Sequence, residues 1–256
     1  MGRPLNSKFF GNRNTGSAST STDNQIGGEF VSVVTINNAG TYASSLPTAT
    51  FSAPAIPSGV TATGVVHGKA VSASINAAGT GYSFGNILTA VGGTGTAATF
   101  QVTSVQTVGT PTLTAGGTIY DVSSGAKDEI WFDSSVDARW TTPLKIRVET
   151  VNGSAVASFT VIQQGVWTGA TPPTTVVGTS THNGPIDNNG NGATFTLSWG
   201  VNTVSVASEG DYTAVPNSAL ATTGGGTGAQ LTVSYGVKNI AITEAGSGYI
   251  NGADAA

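Results

Sequence analysis

Six short strings that end in an aromatic residue recur along this chain, and they constrain its fold more than any other feature. Four are clear: Asn38-Ala39-Gly40-Thr41-Tyr42, Ala78-Gly79-Thr80-Gly81-Tyr82, Ser208-Glu209-Gly210-Asp211-Tyr212 and Ala245-Gly246-Ser247-Gly248-Tyr249. Two degenerate copies lie between them, Gly116-Gly117-Thr118-Ile119-Tyr120 and Gln164-Gly165-Val166-Trp167. The aromatics are 40, 38, 47, 45 and 37 residues apart. Such self-similarity means one supersecondary unit per copy. We number the units repeat 1 to repeat 6 by these aromatics.

Each aromatic is preceded by an alternating run such as Val31-Ser32-Val33-Val34-Thr35-Ile36, Val71-Ser72-Ala73-Ser74-Ile75 or Val204-Ser205-Val206. Period-two patterning places the apolar residues on one sheet face and predicts a first strand. A short second run follows, at 47–51, 87–91 or 217–221. In most copies a glycine cluster comes next, such as Gly92-Gly93-Thr94-Gly95, Asn188-Asn189-Gly190-Asn191-Gly192 or Gly224-Gly225-Gly226-Thr227-Gly228. Gly and Asn tolerate positive φ, so these clusters mark tight reversals. A third run closes the unit, as in Ala98-Thr99-Phe100-Gln101-Val102 or Ala229-Gln230-Leu231-Thr232-Val233. His67-Gly68-Lys69, Gly200-Val201-Asn202 and Gly236-Val237-Lys238 read as minimal turns from one unit to the next, which predicts antiparallel neighbours.

The expected fold is therefore all-β: tandem three-stranded antiparallel β-meanders forming sandwich-like or elongated lobes, behind an extended N-terminal arm. The 36 Gly and 39 Thr agree with it. Interior glycine costs a helix about 1 kcal/mol, whereas β-branched Thr suits a half-buried strand. The predicted segments are an anchoring arm over 1–28, repeats 1 and 2 over 29–107, a diverged repeat with a charged insertion over 108–155, and repeats 4 to 6 over 156–256. The sixth repeat reaches Ala256 without a second or third strand, and because an unpaired edge of that kind is expected to be covered, charged or paired with another chain, either the C-terminus docks on a partner or the chain continues.

Charge excludes some partners. The 256 residues hold 9 Lys and Arg against 13 Asp and Glu, a net charge of −4, so the basic footprint of a nucleic-acid binder is missing and no such partner is expected. No apolar window approaches a membrane span, and the N-terminus lacks the apolar core of a secretory signal, so no membrane partner is expected either. There is no Cys, which removes disulfides, thiolate catalysis and cysteine zinc sites together.

Two regions remain as candidate contact surfaces. The arm carries Arg3, Lys8 and Arg13 with no acid before Asp23, and with Phe9 and Phe10 it is the predicted partner-binding segment. Alone, so polar a stretch buries too little apolar area to offset its ordering entropy, so neighbouring subunits are expected to hold it. Residues 121–149 concentrate ten of the 22 charged side chains (Asp121, Lys127, Asp128, Glu129, Asp133, Asp137, Arg139, Lys145, Arg147 and Glu149) beside Trp131 and Trp140. Trp and Arg are enriched at binding hot spots, which makes Trp131, Asp133, Asp137, Arg139 and Trp140 a possible contact surface, against the simpler reading of a solvated, ion-paired insertion.

Signals for chemistry are weak, and no catalytic residue, metal or cofactor is expected. Asp187-Asn188-Asn189-Gly190-Asn191-Gly192 opens like a calcium loop, but Ser198 stands where the bidentate Glu belongs. Asp128, Glu129, Asp133 and Asp137 could supply a glycosidase pair, yet Lys127 and Arg139 beside them favour ion pairing. His67 and His182 lack the context of a triad base. Gly81-Tyr82-Ser83-Phe84-Gly85 matches a nucleophile elbow, but a strand pattern follows where a helix is required. The repeated tyrosines could stack sugars in a ladder; recurrence at one place in each unit favours packing.

The string V-x-x-I-x-[IV]-x-x-x-G-x-G-Y with G-G-T-G-A, as in Gly246-Ser247-Gly248-Tyr249 and Gly225-Gly226-Thr227-Gly228-Ala229, resembles repeats of virion structural proteins of marine tailed phages. The opening Met1-Gly2-Arg3-Pro4-Leu5-Asn6 through Phe9-Phe10-Gly11-Asn12-Arg13-Asn14 is similar to the start of such proteins from contractile-tailed cyanophages. The likeness covers most of 31–256, with 108–200 diverged. It implies a non-catalytic, multicopy virion component, decorating or joining the head, neck or tail. Its partners would be other virion proteins and copies of itself. An alternative is a receptor-binding module that recognises cell-surface glycan.

Overall fold

The computed structural model describes residues 30–122, 127–182, 190–217 and 220–249. The predicted arm, with Arg3, Lys8, Phe9, Phe10 and Arg13, lies outside them, as do residues 250–256. In chain order the strands are β1 (Thr63–Thr80), β2 (Ile87–Ala90), β3 (Thr94–Thr96), β4 (Thr99–Thr107), β5 (Thr112–Thr118), β6 (Glu129–Phe132), β7 (Trp140–Thr142) and β8 (Leu144–Asn152). They continue as β9 (Ala155–Gln163), β10 (Val166–Trp167), β11 (Thr175–His182), β12 (Asn191–Thr196), β13 (Trp199–Ser208), β14 (Asp211–Ala214), β15 (Leu220–Thr223) and β16 (Thr227–Glu244). The chain is all-β and its paired strands are antiparallel, as the period-two runs and glycine clusters predict.

The pairing of those strands differs from the meander. In repeat 2 the second and third strands do pair, as β2 with β4, but the first strand, the far half of β1, pairs with β16 of repeat 5. The order is β1-β16-β15-β2-β4-β13, with β14 and β3 added beyond β1, and β10 and β7 beyond β4. Repeats 2 and 5 thus interleave: each contributes its first strand next to the other's third. Repeats 3 and 4 do the same in the separate 6-stranded sheet β5-β12-β11-β6-β8-β9. Both sheets curl until their end strands meet. β13 packs on β1, where the Tyr82 N–H donates to the Trp199 carbonyl at 3.2 Å, and β9 packs on β5, where the Tyr120 N–H donates to Ser154 at 2.9 Å.

The partners are therefore nested rather than serial. A hairpin from β8 to β9 through Gly153 turns the chain back, so that repeats 1, 2 and 3 run out and repeats 4, 5 and 6 return beside them. Repeats 1 and 6 meet along the near half of β1 and the far half of β16, with Val65 opposite Ala241 and Val66 opposite Ile240.

Two further expectations are corrected. The supposed turns at 67–69, 200–202 and 236–238 are interior to β1, β13 and β16; in β1 and β16 the third strand of one repeat and the first of the next form one strand, 18 residues long, whereas β12 and β13 remain separate strands. Register shifts mark the first two sites, and their glycines serve close approach. A Cβ on Gly68 would stand 2.6 Å from the Leu46 side chain, and one on Gly200 would stand 2.5 Å from the Gly79 carbonyl. In repeat 1, the runs Val31–Ile36 and Pro47–Phe51 belong to no ladder among the described residues.

Apolar burial holds the pairs together. Leu88, Phe100, Val102 and Leu231 are fully buried between repeats 2 and 5, as are Ile130, Leu144, Ile146, Val148 and Phe195 between repeats 3 and 4. Each such side chain contributes about 1.5–3 kcal/mol by leaving water.

Candidate functional site

The recurrent tyrosines act as clasps between repeats. In repeats 2, 3, 5 and 6 the hydroxyl accepts the backbone N–H of an alanine that opens the third strand of the paired repeat: Ala229 to Tyr82 at 3.3 Å, Ala193 to Tyr120 at 3.3 Å, Ala98 to Tyr212 at 2.6 Å, and Ala62 to Tyr249 at 2.9 Å. Tyr120 and Tyr249 also donate to the carbonyls of Gly178 and Ser52. All four rings are buried, and burial pushes the Tyr120 hydroxyl up to about 12 and raises that of Tyr212 as well. The first glycine of the motif makes room for this contact: a Cβ on Gly79, whose φ is +61°, would lie 2.5 Å from the Ala229 nitrogen. Packing, rather than a ladder for sugar stacking, is what these rings do. A tyrosine hydroxyl reaching another repeat has no one-dimensional signal.

The charged segment resolves into local anchors. The Lys127 ammonium and the Arg147 guanidinium both hold Glu149, keeping its carboxylate down at about 2. Asp128 is buried and accepts the Asp121 N–H at 3.0 Å; Glu129 accepts the Trp131 indole N–H at 2.9 Å. Asp133 caps its own turn through the N–H and hydroxyl of Ser135. Of the ion pairs expected for the four acids, Arg139 holds Asp137, whereas Lys127 pairs with Glu149 instead. No group of three or more metal-ligating side chains occurs among the described residues.

Of the predicted contact residues, Trp140 is corrected to core. It is 3% exposed and lies 5.3 Å from Trp167 and 5.5 Å from Trp199, ring centre to ring centre, in a cluster where the two curled sheets join. Burial of so large a ring stabilises the join more than it could serve a partner. Asp137, Arg139 and Trp131 stay at the surface. Asp137 grips Arg139 at 2.9 Å (Nε) and 2.6 Å (Nη2), which holds its carboxyl at about 2, and the guanidinium lies 4.6 Å above the Trp167 ring. Trp131 is covered on one face by the Lys145 ammonium at 3.7 Å. Beside Arg139 opens a shallow recess of about 270 Å³, walled by Val136, Pro173 and Val177 and floored by the indoles. A fixed cation, a carboxylate and an apolar wall can hold a small hydroxyl-bearing ring or a peptide loop. Trp167 and Trp199, which complete the cluster, were not singled out as contact residues in the sequence.

His67 is on a strand rather than in a turn. Its Nδ1 is 2.5 Å from Asp211 Oδ1, and Lys238 Nζ is 3.0 Å from the other oxygen. Hydrogen bonds from His67 and then Lys238 lower the Asp211 carboxyl. The trio ties β1, β14 and β16 together. Half of the calcium-like string, Asp187 to Asn189, lies outside the described residues, as does the side chain of His182. Ser83, the supposed nucleophile, is in a repeat loop leading to β2, with its N–H on Asn86 Oδ1 at 2.8 Å.

Comparison with protein-family models, with curated proteins and with solved structures finds no match.

Proposed function

We propose that the chain is a non-catalytic structural subunit of a phage virion, present in many copies and decorating or joining the head, neck or tail. The observation that carries this reading is the use made of the repeated motif: its glycines and tyrosines clasp one repeat to another, so the feature that dominates the sequence serves construction rather than a ligand. The resemblance of the repeats and of the opening residues to virion proteins supports the particle. In this role the arm, with Arg3, Lys8, Phe9, Phe10 and Arg13, anchors the subunit to an acidic neighbour, and open β edges contact further virion proteins or copies of this chain. Deleting residues 2–28 tests it: particles assembled with the truncated chain should lack it, and normal incorporation would remove the proposal.

The recess beside Arg139 favours a second reading, a receptor-binding module for cell-surface glycan. Sugar rings stack on apolar walls and bind Arg and Asp through their hydroxyls. A glycan array separates the two, because a pure scaffold is silent on it.

A further inference from the structure

The recess beside Arg139 is built around an ion pair that is already closed. Asp137 Oδ1 accepts the Arg139 backbone N–H at 3.0 Å and the Nε proton at 2.9 Å, and Oδ2 accepts Nη2 at 2.6 Å. The Arg139 carbonyl accepts the Thr168 N–H at 3.0 Å, and the guanidinium lies 4.6 Å above the Trp167 ring. Gly169 makes room for the arginine stem, because a Cβ there would stand 2.5 Å from Arg139 Cδ. The pair is thus fixed before a ligand arrives, which lowers the ordering cost of binding.

Hydrogen-bonding capacity remains on the pair. Asp137 Oδ2 accepts one bond and keeps a lone pair, and Arg139 Nη1 donates to no group among the described residues. A carboxylate lone pair beside a guanidinium N–H matches two adjacent hydroxyls, one donating and one accepting. The charge, by contrast, is balanced. Asp137 and Arg139 are the only charged residues lining the recess, so an anion entering it meets the Asp137 carboxylate with no second cation to offset the repulsion.

The walls beside the pair are apolar. Val136, from the turn between β6 and β7, is 61% exposed, Val177 of β11 is 63% exposed, and Pro173 stands with them. Exposed apolar side chains gathered at one concavity mark a binding surface. At about 270 Å³ the recess is smaller than the cavities that bury drug-sized ligands, and it has room for one ring.

We propose that this recess binds a single neutral hexopyranose through two adjacent hydroxyls. One hydroxyl donates to Asp137 Oδ2, the other accepts from Arg139 Nη1, and the carbon-bearing face of the ring lies against Val136, Pro173 and Val177. The inference rests on the glycan reading above and narrows it to uncharged sugars, because Asp137 turns away uronic and sialic acids.

The test follows the Trp167 indole N–H of the full chain by NMR during titration with methyl glucoside, methyl mannoside, methyl galactoside and methyl glucuronide. At least one neutral glycoside should shift that signal saturably, and the glucuronide should bind at least tenfold more weakly. Arg139→Gln should weaken the neutral sugar about fivefold, the loss expected for one hydrogen bond. Trp131→Ala, on the surface outside the recess, should leave binding unchanged. Asp137→Asn keeps an oxygen for the Arg139 N–H but frees the guanidinium charge, so it should reverse the preference towards the glucuronide, which a merely structural role for Asp137 would not do. The proposal is overturned if no neutral glycoside shifts the signal, if the unaltered chain prefers the glucuronide, or if Asp137→Asn leaves the preference as it was. A glycan-array signal that survives Arg139→Gln overturns the recess alone and leaves the glycan reading standing; a silent array removes that reading as well.

Discussion

The Tyr212 hydroxyl of repeat 5 lies 2.6 Å from the Ala98 nitrogen of repeat 2 and accepts its N–H, while Tyr82 of repeat 2 takes the N–H of Ala229 in repeat 5. The two clasps are reciprocal, so each repeat closes the other. Replacing Tyr212 by Phe keeps the ring and strands a buried amide. The expected loss is about 1–3 kcal/mol, read as a lower urea midpoint with an unchanged slope. Tyr82→Phe should lose less, because its bond is longer at 3.3 Å.

Ile119 stands where repeats 2 and 6 have Gly81 and Gly248, and it is held at φ +64° and 58% exposed. A β-branched residue in the left-handed region is strained by about 1–2 kcal/mol, and glycine returns about 0.5–1 kcal/mol of that as chain entropy. Ile119→Gly should therefore raise the thermal midpoint modestly, with circular dichroism otherwise unchanged. A lower midpoint would refute the strain.

Glu149 should titrate at about 2, below the ordinary value of 4.5, because Lys127 and Arg147 both bond its charged form. Its folded pKa lies below its unfolded one, so its contribution is present above about pH 4.5 and is lost as the pH falls towards 2. Carboxyl NMR should show the shift, and Glu149→Gln should flatten the acid limb of stability over that window. At the alkaline end the sign reverses. Tyr120 is raised from 10 to about 12, so its neutral form favours the fold and stability declines between those pH values; Tyr120→Phe should remove that part of the decline.

Trp140→Ala empties the centre of the indole cluster and should cost about 3–5 kcal/mol, as large core truncations do. Trp131→Ala, at the surface, should stay below about 1 kcal/mol. Equal losses from the two would argue against the division into core and surface.

Reading the charged segment correctly needed three dimensions. Trp131 and Trp140 both stand in the charged segment, yet β6 leaves Trp131 half-buried under Lys145, whereas β7 folds Trp140 against Trp167 and Trp199. The strand from Thr63 to Thr80 carries the same lesson for the fold. Gly68 looks like a turn because glycine commonly makes turns, but its true constraint is the Leu46 side chain, 22 residues earlier in the sequence.

By itself the sequence determined the alternation of most strands, which of their faces are apolar and that most of the motif glycines take positive φ. Alternation and glycine placement act over a few neighbouring residues, so Val71–Ile75, Ala98–Val102 and the motif glycines were legible one unit at a time. Only the tertiary structure decided which strand lies beside which. All the repeats offer similar edges with a similar period, so local pattern cannot choose among them, and the choice falls to contacts made far along the chain: Tyr82 with Ala229, Tyr212 with Ala98, Tyr249 with Ala62.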